Sequence, residues 1–191
     1  RFGGREMDWA DLEAASTITA REEPVQLTID GVVEACVFPR DATPEEAAAP
    51  NMAGWLIEDL NDSIADSRDK DVLIYVHGAK VNFYNACAFA AQLDHFMGRD
   101  MTSIAFSWPT RQDIFAYALG SDVKRAYKSA ESLASLIELL AYASDARRIH
   151  ILSWSAGGRV ATEAFLVLRN RYPEESEQSL RERFRIGTAY F

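Results

Sequence analysis

The chain has 191 residues, 48% of them apolar, which is enough for one ordinary domain with a sizeable core and too apolar for a disordered polymer. Its 29 acidic and 20 basic residues leave a net charge of −9, and with no dense Lys/Arg patch to offset that, a nucleic-acid partner gripped by its phosphates is excluded. No apolar run approaches the roughly 20 residues needed to span a bilayer, and Cys36 and Cys87 fit no metal-ligand spacing.

In chain order, Trp9, Leu12 and Ala15 suit one short amphipathic helix. Val25–Ile29 and Val32–Phe38 flank Asp30-Gly31, a pair that favours the positive φ of a tight turn, so residues 25–38 are expected to form an antiparallel hairpin. Residues 39–50 read as a Pro/Ala/Glu linker. Met52, Trp55, Leu56, Leu60 and Ile64 recur at helical spacing. Val72–Val76 is a continuous apolar run, expected of a strand buried on both faces. A helix follows from about Phe83 to Met97, a strand at Ser103–Trp108, and a long helix from about Asp122 to Ala143 with Ser121 as its N-cap. Arg148–Leu152 is a further strand, Ala156–Arg171 a further helix, and Arg185–Phe191 opens one more strand. Strands alternating with helices predict a parallel sheet with helices on both faces. Both cysteines lie in apolar segments and are expected to be buried thiols.

The chemistry is concentrated between a strand and a helix, at Ser153-Trp154-Ser155-Ala156-Gly157. A nucleophile elbow is a sharp turn in this setting, and it needs small residues two positions either side of the nucleophile. Ser153 and Gly157 meet that need. Ser155 Oγ would point out of the sheet, and the Ala156 N–H, at a helix N-terminus, would face a developing oxyanion. A serine before a helix can equally be a plain N-cap. A second feature weighs against that reading: Val72–Val76 runs straight into His77-Gly78-Ala79-Lys80, the place where such a fold supplies its other oxyanion N–H, here Ala79. Gly78 would let the backbone come close to a ligand. His77 precedes the nucleophile and is not expected to be the base, because in this fold the catalytic His comes last. His95 and His150 are set aside on the same ground.

Three segments occur in order: Val76-His-Gly-Ala-Lys-Val-Asn-Phe83, Phe106-Ser-Trp-Pro-Thr110 and Ser153-Trp-Ser-Ala-Gly-Gly-Arg-Val160. Over about residues 71–191 the chain resembles a group of poorly characterised bacterial α/β-hydrolases related to esterases and lipases, with the Phe-Ser-Trp-Pro segment the most specific match. The resemblance implies an α/β-hydrolase fold, a mostly parallel sheet with helices on both faces behind the N-terminal hairpin. Where the group has Phe/Tyr-Asn after His-Gly, this chain has Ala79-Lys80. Where the group has His before the nucleophile and Met after it, this chain has Trp154 and Ala156. Trp154 would reshape the pocket. Lys80 would either favour an acidic substrate or point to solvent. Trp108, Phe115 and Tyr117 follow a strand C-terminus, where α/β sheets bind ligands, and are expected either to line an acyl pocket or to pack under the long helix.

A serine hydrolase also needs a base and an acid to orient it, and in this fold both follow the nucleophile. After Ser155 the chain has neither His nor Asp; its Glu163, Glu174, Glu175, Glu177 and Glu182 read as a solvated face. The chain starts at Arg1 rather than Met and stops at Phe191 inside an apolar stretch, so both ends are expected to be cuts. Residues 1–24 are then an N-terminal extension and 25–191 an incomplete hydrolase domain whose C-terminal part is absent, with a second fragment as an expected partner. An upstream targeting or anchor segment leaves the compartment open. The expected activity is ester or thioester hydrolysis of a small-molecule acyl substrate through an acyl-enzyme on Ser155, with no metal and no cofactor. The alternative is a pseudoenzyme that uses the hydrolase scaffold for binding or assembly. A nucleotide site is unsupported, because the chain has no Gly-x-Gly-x-x-Gly and no Walker-type loop.

Overall fold

In the computed structural model, which describes residues 8–17, 42–111 and 120–191, the apolar run forms β1 (Val72–Val76) and is buried at all five positions. It lies between β2 (Thr102–Phe106) and β3 (Ile149–Ser153), with β4 (Ile186–Tyr190) beyond β3, so the sheet order is β2-β1-β3-β4. All three pairings are parallel. Parallel neighbours need crossovers, and these are α4 (Phe83–Phe96), α5 (Ser121–Ala143), and α6 (Ala156–Arg171) with α7 (Glu177–Arg183). Ahead of the sheet come α2 (Pro44–Ala47), a wide π-type turn at Pro50–Gly54, and α3 (Trp55–Asp66).

Side chains alternate across a strand, which divides β1 between two layers. Val72, Ile74 and Val76, with Ile149 and Ile151 of β3, enter the main core beside Ile57, Leu60 and Ile64 of α3, Leu133, Ile137 and Leu140 of α5, and Val160 and Leu168 of α6. Leu73 and Tyr75 face the other way; the Tyr75 ring lies 6.2 Å from Phe89 of α4. Ala126, Ala130 and Ala134 on α5 and Ala161 and Ala164 on α6 are small enough to let the two helices pack closely.

The register places the functional residues. Val76 is level with Phe106 on one side and with Ser153 on the other, so β1, β2 and β3 end together. The segments that begin at His77, Ser107 and Trp154 therefore leave the sheet side by side at its C-terminal edge, where ligands of α/β sheets bind.

The opposite edge is fastened by a buried carboxylate. Asp71 accepts from Arg147 Nε and Nη2 at 3.0 and 3.2 Å and from His150 Nε2 at 3.2 Å, while His150 Nδ1 accepts from the Thr188 N–H at 3.1 Å. A Cβ on Gly187 would come within 2.6 Å of the His150 ring, so glycine is what lets β4 pass at its register shift. Burial raises the Asp71 pKa, but the bonds from Arg147 and His150 outweigh it and leave the carboxyl below its ordinary value.

Several expectations need correction. Part of the supposed linker 39–50 is helical: Thr43 and Glu46 form a capping box around Pro44, which suits the first helical position. The N-cap of α5 is Gly120 at φ 79°, not Ser121, which is already helical. The acidic stretch after α6 contains α7, started by Ser176 accepting from the Ser179 N–H. Cys87 is exposed, because α4 turns Ala86 and Ala90 inward instead. The chain divides into two compact units, Arg1–Ala35 and Cys36–Phe191. In the first, the described element is α1 (Trp9–Ser16), held by an Asp8/Asp11 capping box, with Trp9 exposed. The hairpin expected at residues 25–38, with Cys36, lies outside the described residues.

Asp71→Ala is expected to lower stability by about 1–3 kcal/mol in urea unfolding at pH 7, since it strips a buried partner from Arg147 and His150. The depressed pKa means that the wild type should lose this contribution as pH falls below the ordinary carboxylate value of 3.8 and through the lower folded value, whereas the variant should lose none.

Candidate active site

Ser155 sits between β3 and α6 at φ 54°, ψ −117°, a backbone conformation that L residues rarely adopt and that costs about 1–3 kcal/mol. A helix N-cap is normally extended and accepts a backbone N–H from the first turn. Ser155 does neither: its side chain makes no capping bond, and it is exposed to solvent. The plain N-cap reading therefore fails.

The turn is clamped by backbone bonds. The Trp154 N–H donates to the Val76 carbonyl at 3.0 Å, the Gly157 N–H to the Trp154 carbonyl at 2.9 Å, and the Gly158 N–H to the Ser155 carbonyl at 3.0 Å. Ser153 Oγ donates to the Tyr190 carbonyl at 2.8 Å, which ties the end of β3 to β4. Gly157 is needed because a Cβ there would sit 2.3 Å from the Val76 carbonyl oxygen and 2.6 Å from that of His77. Ala156 is buried, and as the first residue of α6 its N–H has no partner within the helix.

The loop after β1 abuts this turn. A Cβ on Gly78 would meet Trp154 Cδ1 and O at 3.0 Å and Ser155 Cβ at 3.2 Å. Ala79 is half-buried and Lys80 exposed, the latter at φ 61°. His77 is fully buried and structural: Nδ1–H donates to the Gly78 carbonyl at 2.8 Å, and Nε2 accepts from the Trp108 N–H at 3.0 Å. Burial holds its pKa below the ordinary value, with the Gly78 carbonyl opposing. A proton on Nε2 would also point at the Trp108 N–H. Trp108 is buried, stacked on the His77 ring at 5.6 Å, and donates from Nε1 to the His77 carbonyl at 2.7 Å.

An open cleft of about 640 Å³ is lined by Trp154, Ser155, Gly158, Arg159, Thr162, Glu163 and Phe191. Ser155 and Trp154 thus share a surface, Gly78 backs it, and Trp108 does not line it. Phe115 and Tyr117 lie outside the described residues. In the sequence Glu163 reads as part of a solvated face and Arg159 and Thr162 carry no site role, although counting one helical turn at a time from Ser155 leads to all three. His150 is committed to Asp71 at the far edge of the sheet, and His95 is in the last turn of α4.

A model of the family described as alpha/beta hydrolase of unknown function (DUF900) matches residues 54–185, which takes in the His77 loop, the Phe106–Thr110 segment and the Ser155 turn. The chain belongs to the DUF900 alpha/beta hydrolases. No curated protein and no solved structure matches it. As in an alpha/beta hydrolase, the DUF900 sheet here is parallel with helices on both faces. Among the described residues no three His, Cys, Asp or Glu side chains gather as a metal site, and no helix is long and apolar enough to cross a membrane.

Two measurements check this geometry. Ser155→Gly should raise the melting temperature relative to Ser155→Ala, because relief of about 1–3 kcal/mol of backbone strain outweighs the roughly 0.5–1 kcal/mol entropic cost of glycine. The His77 ring resonances should titrate below the ordinary imidazole value of 6.5. Its lowered pKa means the unfolded chain takes up a proton first, so this part of the stability falls as pH drops below 6.5 and levels off below the folded value. Titration of His77 at 6.5 or above would contradict the assignment.

Proposed function

We propose that this DUF900 chain carries the nucleophile and oxyanion donors of a serine hydrolase that cleaves an ester or thioester. The observation that carries the reading is Ser155 at φ 54°, ψ −117°, exposed and without a capping bond. Strain of this kind clusters where a side chain must be presented to a reactant.

In this reading Ser155 Oγ attacks the acyl carbon. The charge that develops on the carbonyl oxygen is taken by the Ala156 N–H, aided by the positive end of α6, and by the Ala79 N–H. The carbon–oxygen or carbon–sulfur bond then breaks, the leaving alcohol or thiol takes a proton, and water hydrolyses the acyl-enzyme. Proton transfer needs a His oriented by a carboxylate. None of the chain's three histidines serves, since His77 has both ring nitrogens engaged and His150 and His95 stand elsewhere. In this reading the His and its acid are supplied from outside these 191 residues. Trp154 and Phe191 line the cleft and suit an apolar acyl group.

The same lack of a placed histidine favours a second reading, a scaffold that binds without catalysis. A fluorophosphonate probe separates the two. The hydrolase reading expects covalent labelling that Ser155→Ala abolishes, with ester turnover falling by at least about 10³-fold in that variant. Purified protein with an intact mass above that of 191 residues that still takes no label on Ser155 would leave only the scaffold.

A further inference from the structure

We infer that Thr110 is a positioning residue for the loop that carries the Ala79 N–H, through a strap, residues 107–111, that braces that loop from the end of β2. The inference rests on the serine-hydrolase reading and concerns how its oxyanion site is kept in shape.

The loop from His77 to Val81 has little of its own to hold it. It contains Gly78, the least restrained residue type, and Lys80 at φ 61°, a conformation that L residues disfavour. Its downstream end is caught by α4, where Asn82 accepts from the Asn85 N–H at 2.9 Å. Its flanking carbonyls are both taken by the strap. The His77 carbonyl accepts from Trp108 Nε1 at 2.7 Å, and the Val81 carbonyl accepts from Thr110 Oγ1 at 2.8 Å. The Gly78 carbonyl is held by His77 Nδ1 at 2.8 Å, and the span Ala79–Lys80 lies between that point and the Thr110 bond to Val81.

The strap is itself anchored. The Arg111 N–H donates to Asp122 Oδ2 at 3.2 Å, and Asp122 is completely buried in the first turn of α5, where Arg125 pairs with its other oxygen at 3.1 Å. An exposed loop bond alone would not call for a buried carboxylate behind it. A brace that fixes an N–H does, because a misplacement of about 1 Å in a catalytic group can cost about 10²-fold in rate. An oxyanion donor acts mainly in the transition state, so slackening it should lower kcat and leave KM.

Thr110 is the member that can be tested without harming the core. His77 and Trp108 are buried, whereas Thr110 is half-buried and valine copies its shape without the hydroxyl. The experiment compares the full chain with its Thr110→Val and Thr110→Ser variants. It measures p-nitrophenyl butyrate hydrolysis, the rate of Ser155 labelling by a fluorophosphonate, and amide exchange of residues 77–82. The expected result for Thr110→Val is faster exchange confined to 77–82, kcat lower by about 10- to 100-fold, KM within about twofold, and slower labelling. Thr110→Ser, which keeps the hydroxyl, should restore exchange, kcat and labelling. Unchanged exchange in Thr110→Val overturns the brace. Faster exchange with wild-type kcat and labelling overturns its role in catalysis. Wild-type protein with neither turnover nor label on Ser155 overturns the hydrolase reading and this role with it, while the exchange data still decide the brace.

Discussion

The approach of α6 to the end of β1 is the contact on which the rest of the site depends. At Gly157 the helix backbone passes so near the Val76 and His77 carbonyls that no side chain fits. A helix starting that close to a parallel strand leaves room for a turn of very few residues after β3. The chain makes the turn by forcing Ser155 to positive φ, and the backbone bonds from Trp154, Gly157 and Gly158 keep it there. The cost falls on one residue and is met by the packing of α6 against the sheet and α5, where Val160, Ala161, Ala164 and Leu168 are all buried.

Around that turn the polar groups divide by end of the sheet. At the C-terminal edge they hold loops in shape: His77, its pKa lowered by burial, joins the β1 loop to the β2 strap, and Thr110 and Asp122 extend the linkage to α5. At the N-terminal edge Asp71, Arg147 and His150 tie the starts of β1, β3 and β4 together. A mostly apolar sheet with polar fastenings at both ends keeps its middle rigid, and rigid strands are what allow loops at one edge to present groups precisely enough for chemistry. His77 and His150, both set aside as bases by their place in the chain, are spent on these fastenings.

Much of the architecture was legible from pattern. The uninterrupted apolar run at Val72–Val76 marked a doubly covered strand, and the strand–helix alternation marked a parallel sheet, because those periodicities follow directly from burial. The helix Ala156–Arg171 matches its expected bounds. The misses were local or tertiary. The capping box of α2 and the Ser176 N-cap of α7 are short polar signals set in acidic, Pro-bearing segments that resemble loops. The exposure of Cys87 depends on which side of α4 meets the sheet, and Ala86 and Ala90 claim that side.

For the site, the sequence alone determined its ingredients: a serine between small residues at a strand–helix junction, a His-Gly loop after a buried strand, and the family to which those motifs belong. Residue types and their order along the chain are enough for that, since strand and helix periods are local properties. Only the tertiary structure decided that Ser155 is not a helix cap, that Trp108 is packed on His77 and not in the cleft, and that Arg159, Thr162 and Glu163 share a surface with the serine. Those outcomes depend on the register that ends β1, β2 and β3 at one level and on the close contact at Gly157. Both arise from pairings between residues tens of positions apart, which no local pattern encodes.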